Sequence, residues 1–491
     1  MNNGTAPRVR LSAATLAGLP AAIERPRYAL ENVEIGVVHI GPGAFHRAHQ
    51  AWFFDTALAH DARWGISGVS LKSSALRDAL AEQDGLYTVA VLDEQIRHRV
   101  IGALRETLLA SQRDRVRARL VSQHTRIVTL TITEKGYCLD ASGRLDFTHP
   151  DIVADLAAPQ APTSALGHLV EALRLRRAAG VLPFTTISCD NLADNGGKLR
   201  DALVALAAVR DAGLAQWIGA EAAFPRTMVD SIVPATDAAL LRSVGEALGV
   251  EDRWPVQREA FAQWVIEQRF CNDVPEWQGL GVTVTNDVAA YERAKLRLLN
   301  GAHSTLAYLG SLLGYETVVQ AMTDATLAAF VETLMREDAM PSLRASDFDL
   351  DVYTSDILRR FRNPALRHAL AQIAWDGSQK LPFRLLGTVR DALAAGRPLE
   401  RLCLAIAAWL HFVRAAQRDG RTLVDPLAGA LCDVARASTG QGVADVPRWL
   451  ALPHVFGDDL PRTAPFVRAL TLAYDSLTQG PPRDALQCAV G

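Results

Sequence analysis

Glu34-Ile35-Gly36-Val37-Val38-His39-Ile40-Gly41-Pro42-Gly43-Ala44-Phe45 decides the fold. Residues 34–40 form a β-branched, apolar run of strand length, and a glycine turn follows at once. Phe45, Ala48 and Trp52 then recur at helical spacing. Strand, Gly41-x-Gly43, helix is a layout that lets backbone approach a pyrophosphate. Gly41 supplies the tight turn and Gly43 the close approach, and the helix start offers unpaired N–H groups to negative charge. Gly41, Pro42, Gly43, Ala44 and Phe45 are therefore the candidate dinucleotide contacts. A plain strand-to-helix turn would use the same two glycines. The motif is also incomplete, because His46 stands where G-x-G-x-x-G has its third glycine. The acid that would read a ribose at the end of the second strand is missing too, and Leu71-Lys72-Ser73-Ser74 stands there. Lys72 would suit a 2′-phosphate, so NAD and NADP both stay open.

Outward from that turn, residues 64–71, 125–133 and 181–189 read as further strands. Alanine- and leucine-rich helical stretches, residues 165–179 and 198–209, lie among them. Strands alternating with helices imply an α/β fold, a Rossmann-like, mostly parallel sheet with helices on both faces. From Tyr291 onward helical patterns dominate, as in residues 325–336, 381–395 and 399–417. A boundary is expected near residue 285, after Gly281-Val282-Thr283-Val284-Thr285. Residues 1–285 then form a dinucleotide-binding domain and residues 286–491 a mainly α-helical substrate domain. The crevice between two such domains is the default place for a substrate.

Composition narrows the class of partner. Of 491 residues, 49% are hydrophobic and 21% charged, as in ordinary soluble globular proteins. A net charge of -3 gives no global positive field to hold nucleic acid or an anionic membrane. Cys138, Cys189, Cys271, Cys403, Cys432 and Cys488 form no CxxC pair, which argues for free thiols in a reducing compartment. No apolar run reaches the ~18 residues of a membrane span, and residues 402–413, with His411 inside, read as a buried helix. Arg8 and Arg10 precede a mildly apolar stretch, but Ser12, Thr15 and Pro20 interrupt it and no clean cleavage signal follows, so a secretory leader is not expected.

The second chemical signal is Tyr291-Glu-Arg-Ala-Lys295-Leu-Arg-Leu-Leu-Asn300-Gly-Ala-His303-Ser304. At about 100° per residue, Lys295 and His303 share the face that carries Leu299 and Leu306. Helices do not normally place an ammonium on a buried side, because desolvating charge is costly. Burial disfavours the protonated amine, and a lysine that loses its proton near neutral pH acts as a general base. A lysine snorkelling to solvent beside a core histidine is the bland alternative. Gly301 weighs against it, since a helix-interior glycine costs about 1 kcal/mol and marks close backbone approach. Asn191 follows a parallel strand, at the edge where open α/β sheets bind ligands. Its amide suits a developing oxyanion, and capping the next helix is the alternative role. His46 and His49, at i,i+3 with no cysteine or acidic partner, make a poor metal pair.

These stretches resemble the polyol-specific long-chain dehydrogenase/reductases, the family that includes mannitol 2-dehydrogenase and fructuronate reductase. The resemblance rests on Gly41-Pro-Gly-Ala-Phe-His-Arg-Ala-His-Gln50, Thr131-Ile-Thr-Glu-Lys-Gly-Tyr137, Ser188-Cys-Asp-Asn191, Phe224-Pro-Arg-Thr-Met-Val-Asp230 and Lys295-Leu-Arg-Leu-Leu-Asn-Gly-Ala-His303. It implies a metal-independent, nicotinamide-dependent oxidation of a secondary alcohol by a cytoplasmic monomer. It puts Lys295 in the place of the general base and Asn191 with Asn300 in that of the oxyanion pair. His303 matches a substrate-positioning residue, Glu292 a proton-relay residue, and Asp230 and Lys380 substrate contacts. Within the family, Thr133-Glu-Lys135-Gly-Tyr137, Asn363-Pro-Ala-Leu-Arg-His368 and Asp376-Gly-Ser-Gln-Lys-Leu-Pro382 look closer to fructuronate reductases. Lys135 would suit the carboxylate of a sugar acid such as mannonate, or else be a solvated loop lysine. A hexitol such as mannitol is the other expected substrate, and a regulator that kept the fold without catalysis is a further class. Retention of Lys295, Asn191, Asn300 and His303 together argues against that last class.

Overall fold

The structure is a computed structural model and describes residues 9–343 and 348–490; Arg8 lies outside the described residues. The chain forms two compact units, Met1–Val288 and Ala289–Gly491.

In chain order the strands are β1 (Ile35–Ile40), β2 (Gly65–Ser70), β3 (Tyr87–Leu92), β4 (Arg97–Ile101), β5 (Leu104–Leu109), β6 (Ile127–Leu130), β7 (Thr185–Ser188), β8 (Thr227–Asp230), β9 (Val256–Glu259), β10 (Gln263–Glu267) and β11 (Val282–Thr285). Five of them build a wholly parallel sheet in the order β5-β2-β1-β6-β7. Two small mixed sheets, β4-β3-β9 and β11-β10-β8, complete the unit.

Both faces of the parallel sheet are covered, as such sheets require. Strand alternation in β1 sends Val38 and Ile40 to one face and Val37 to the other. The first face packs with Leu166, Leu169 and Leu173 of the helix Ala165–Ala178 and with Leu199 and Leu203 of the helix Asn195–Arg210. The second packs with Phe54, Trp64, Trp264 and Trp277. In the strand order β5-β2-β1-β6-β7 the connections leave β1 in opposite directions. The carboxyl ends of β1 and β6 therefore flank the topological switch point, where ligands bind in open α/β sheets.

Two local expectations change. The helix expected from Phe45 through Trp52 is two, Ala44–Ala48 and Gln50–Ala57, broken at His49 with φ −120° and ψ −85°. The His49 ring is held there, with Nε2 2.9 Å from the Gln263 carbonyl oxygen. The strand expected over residues 125–133 stops at Leu130, because Thr131, Ile132 and Thr133 turn away to make side-chain and backbone bonds described below.

Among the described residues the C-terminal unit contains no strand. The helix Glu400–Arg418 runs through its core, with Leu402 through Leu410 buried. Three segments are π-helical, Lys295–Asn300, Leu334–Ala339 and Pro382–Leu386. Single π-turns inside α-helices are rare and frequently sit at functional sites. Among the described residues, no helix is long and apolar enough to cross a membrane.

Candidate active site

In the N-terminal unit, Gly41 has φ +89°, and a Cβ there would collide with the Thr131 carbonyl. Glycine is thus required by both conformation and space. Gly43 differs: it is exposed, and a Cβ there would meet nothing closer than the Gly41 carbonyl oxygen at 3.8 Å. The open face beside Gly43 is where backbone can meet a ligand, which fits the dinucleotide reading of the turn. Pro42 is buried beneath it, and Ala44 and Phe45 begin the following helix, half-buried.

His46 explains the missing third glycine. That glycine ordinarily lets the helix pack closely on the strand. Here the His46 ring stacks on the His39 ring of β1, centroids 3.3 Å apart and planes 13° apart. Two flat rings achieve the close packing instead. Both imidazoles are fully buried, and burial pushes His39 down to about 3 and His46 well below its ordinary value. His46 and His49 do not form a metal pair, since one ring is stacked and the other is bonded to the Gln263 carbonyl and the Gln50 amide. Among the described residues, the one group of three potential ligands with ligating atoms within 4.8 Å of one another is Cys138, His149 and Asp151. There His149 Nδ1 already accepts the Asp151 N–H as cap of the helix Pro150–Ala157.

The loop after β7 carries Asn191, which is exposed. The cap position of the next helix belongs to Asp194, so Asn191 is not its capping residue. Its neighbour Asp190 accepts from the backbone N–H groups of Ile132 and Thr133 at 3.0 and 2.9 Å, and from the Tyr137 hydroxyl at 2.7 Å. Asn195, fully buried, donates to the Ser188 and Thr227 carbonyls and accepts from the Thr227 N–H, which ties this loop to β8. Asp230 ends β8 and is buried, opposite Gln263 of β10. Lys135 is exposed on the turn Glu134–Tyr137.

In the C-terminal unit, Lys295 opens the π-turn and Asn300 closes it. The Gly301 N–H bonds to the Leu296 carbonyl, the i→i+5 pattern. The α-helical wheel therefore fails across this segment. A wider turn brings Lys295 and Asn300 nearer in angle than the ~140° an α-helix gives, so the two groups can serve one ligand. Lys295 is half-buried rather than dry, as are Asn300 and, one turn earlier, Glu292. Gly301 makes the expected close approach: a Cβ there would lie 3.0 Å from the Arg384 carbonyl oxygen. Arg384 in turn donates to Ser304 Oγ at 3.1 Å and to the Asn300 carbonyl at 3.4 Å.

His303 is buried at 7% exposure, packed on Phe361 and edge-on to His368. Its Nε2 has no hydrogen-bond partner, nor has His368 Nδ1. Burial, then the nearby His368, Arg384 and Arg360, holds His303 well below its ordinary value, so the ring is neutral. A buried, unpaired imidazole nitrogen is costly unless a ligand satisfies it. Lys380 lies one residue before Leu381, the residue preceding the Pro382–Leu386 π-turn, with Nζ 3.4 Å from the Ile373 carbonyl; burial, then Arg384, lowers its value. Thr131, Asp190, Tyr137, Arg384 and His368 were not singled out from sequence. The available signal was their position beside the chosen residues, within motifs already quoted for all but Arg384.

The chain matches the Mannitol dehydrogenase Rossmann domain over residues 35–279 and the Mannitol dehydrogenase C-terminal domain over residues 287–478. It is 42% identical to D-mannonate oxidoreductase of Escherichia coli (strain K12) over 481 residues, 96% of this chain and 98% of that one. The structure of Pseudomonas fluorescens mannitol 2-dehydrogenase in ternary complex with NAD and D-mannitol matches with a TM-score of 0.82 at 38% identity, covering 98% of this chain and 99% of the other. A substrate-free D-sorbitol dehydrogenase matches with a TM-score of 0.91 at 33% identity, covering 97% and 100%. Such likeness over the full length, on a Rossmann-like parallel sheet followed by a helical unit, makes this chain an oxidoreductase of the mannitol dehydrogenase family.

Proposed function

We propose that the protein interconverts a sugar acid, D-mannonate, and its keto form, D-fructuronate, as a metal-independent, nicotinamide-dependent oxidoreductase with Lys295 as general acid/base. A cytoplasmic monomer is the form the family resemblance implies. The observation that carries the reading is the π-turn with Lys295 and Asn300 at its ends, one residue before the helical turn that presents the unpaired Nε2 of His303.

The dinucleotide, held along Gly41 to Phe45, supplies the hydride acceptor when bound. The residues of the chain do the rest. Neutral Lys295 takes the proton of the reacting hydroxyl. The amides of Asn191 and Asn300 stabilise alkoxide character as the C–H bond weakens. His303 Nε2 and Asp230 position neighbouring hydroxyl groups, Lys380 adds a donor, and Glu292 passes the proton between Lys295 and solvent. In reduction, protonated Lys295 returns the proton to the carbonyl oxygen. Lys135 pairs the substrate carboxylate, a partner that a hexitol has no use for. The 42% identity to a D-mannonate oxidoreductase supports the acid. The likeness to a D-mannitol-bound structure keeps D-mannitol as the second reading.

Absorbance of reduced nicotinamide, followed with hexonates, uronates and hexitols and with both NAD and NADP, tests the proposal. Turnover with D-mannonate and D-fructuronate, and little with D-mannitol, is expected. Turnover of D-mannitol alone overturns the substrate, and nucleotide binding with no turnover of any alcohol overturns the activity.

A further inference from the structure

The turn that carries Lys135 is bracketed by residues in a backbone region that favours glycine. Thr133, just before it, has φ +63° and ψ 162°; Cys138, just after it, has φ +50° and ψ 44°. For Thr133 the penalty is severe. It is β-branched, and its φ and ψ fall in a region essentially reserved for glycine. Such a conformation persists only where the surroundings over-determine it.

Asp190 supplies that determination. One carboxylate oxygen accepts the Thr133 N–H, and the other accepts both the Ile132 N–H and the Tyr137 hydroxyl. The carboxylate thus grips the turn at both ends, ahead of Glu134 and at Tyr137. The Tyr137 hydroxyl also lies 2.5 Å from Ser188 Oγ on β7, the strand whose exit loop bears Asn191. Inside the turn, the Gly136 N–H donates to the Thr133 carbonyl at 2.9 Å. On the other side, Thr131 Oγ1 donates to the Gly41 carbonyl at 2.7 Å. The three residues leaving β6 therefore tie the glycine turn to the loop of Asn191.

We propose that Asp190 is a positioning residue: it holds Thr133 in a strained conformation and thereby fixes the Glu134–Tyr137 turn, with Lys135 on it, for the substrate. The assignment rests on the reading of Lys135 as a substrate contact. Strain enforced from outside has a consequence that ordinary structural support lacks. If the duty of Asp190 is to enforce the Thr133 conformation, a glycine at 133 makes Asp190 less necessary, because glycine adopts that conformation without penalty.

The test is a double-mutant cycle on the full-length enzyme, with KM and kcat measured on whichever alcohol the wild type turns over. Asp190→Asn turns one acceptor into a donor facing an N–H. KM is expected to rise about ten-fold or more, with kcat changed less, because a bond to a charged group is lost. Thr133→Gly alone is expected to keep KM within about two-fold and to raise the thermal midpoint by a few degrees as strain is removed. The Asp190→Asn/Thr133→Gly pair is expected to recover at least about three-fold of the lost KM. Tyr137→Phe, which leaves Asp190 in place, gives a milder KM rise and keeps the test alive should Asp190→Asn fail to fold. No rescue in the double variant, or a loss confined to kcat, overturns the proposal; so does an unchanged KM in Tyr137→Phe when Asp190→Asn does not fold. A wild-type enzyme silent on hexonates but active on a hexitol defeats the carboxylate role of Lys135, while the rescue is still read on the hexitol.

Discussion

The hydroxyl of Thr131 donates to the Gly41 carbonyl at 2.7 Å and lies 2.9 Å from His39 Nε2. With the hydroxyl proton spent on Gly41, the ring must donate through Nε2, and Nδ1 then accepts from Thr129 Oγ1 at 2.7 Å. A buried, neutral histidine thus orients the threonine that holds the glycine turn. Thr131→Val keeps the shape and strands both the His39 N–H and the Gly41 carbonyl. Stranding buried polar groups costs about 1–3 kcal/mol. Loss of stability on urea unfolding is expected, together with about ten-fold weaker NADH binding by fluorescence titration, the part of that cost felt at the turn. Weaker stability with unaltered NADH affinity would make this contact structural only.

Buried histidines predict the acid limb of stability. Burial lowers His39 to about 3 and His411 to about 4, and it lowers His46, His168, His303 and His368 as well. In the unfolded chain these rings take protons near pH 6.5. Below that pH the unfolded state binds more protons, so stability is full above about 6.5 and is lost as pH falls toward the folded values. Each ring contributes a slope of up to about 1.4 kcal/mol per pH unit. Asp190, Asp252 and Asp338, raised by burial, oppose the trend at lower pH. The midpoint for urea unfolding should therefore begin to fall near pH 6.5. His411→Gln keeps a donor toward the Tyr474 carbonyl, 3.0 Å from His411 Nε2, and should flatten that fall; an unchanged pH slope contradicts this account.

The parallel sheet was legible because β1, β2, β6 and β7 are short β-branched runs closed by glycine or polar turns, and their burial on both faces leaves no competing period. The strands β3, β4, β8, β9 and β10 were not read. Their sheets hold three strands each, and pairings such as Ala90 with Gln257 and Asp230 with Gln263 join segments far apart in sequence. The π-turn was hidden for a different reason. Residues 288–312 have an unbroken helical composition, and only the close approach of Gly301 to Arg384 marks the place where the ladder widens. Lys295, Asn300 and His303 could be nominated from residue type, but not their relative angles. Asp190 escaped because its role depends on the backbone of Thr133, which no spacing rule reports.

Lys135 is expected to decide between acid and polyol. It is exposed, so removing it should cost little stability. Lys135→Gln should raise KM for D-mannonate by about ten-fold or more, the scale of a charge-assisted bond, and leave KM for any hexitol turned over within about two-fold. Measuring both substrates on one preparation separates the carboxylate contact from general damage. An equal rise for both alcohols removes Lys135 from the site.

Lys295 bears the proton transfer, and its variant should separate chemistry from binding. Lys295→Ala removes the amine from the first position of the π-turn but leaves the dinucleotide turn, in the other compact unit, untouched. Turnover is expected to fall at least ~10²-fold, the usual contribution of a positioned general base, while NADH affinity stays within about two-fold. The wild-type rate of alcohol oxidation should rise with pH as the amine loses its proton, and that rising limb should disappear in the variant. A small primary amine added to the variant is expected to restore part of the rate in its unprotonated form, so recovery should increase with pH at fixed total amine. Turnover near wild type in Lys295→Ala, or an unaltered pH profile at reduced rate, would move the base to another residue, with Glu292, one helical turn away, the first to examine.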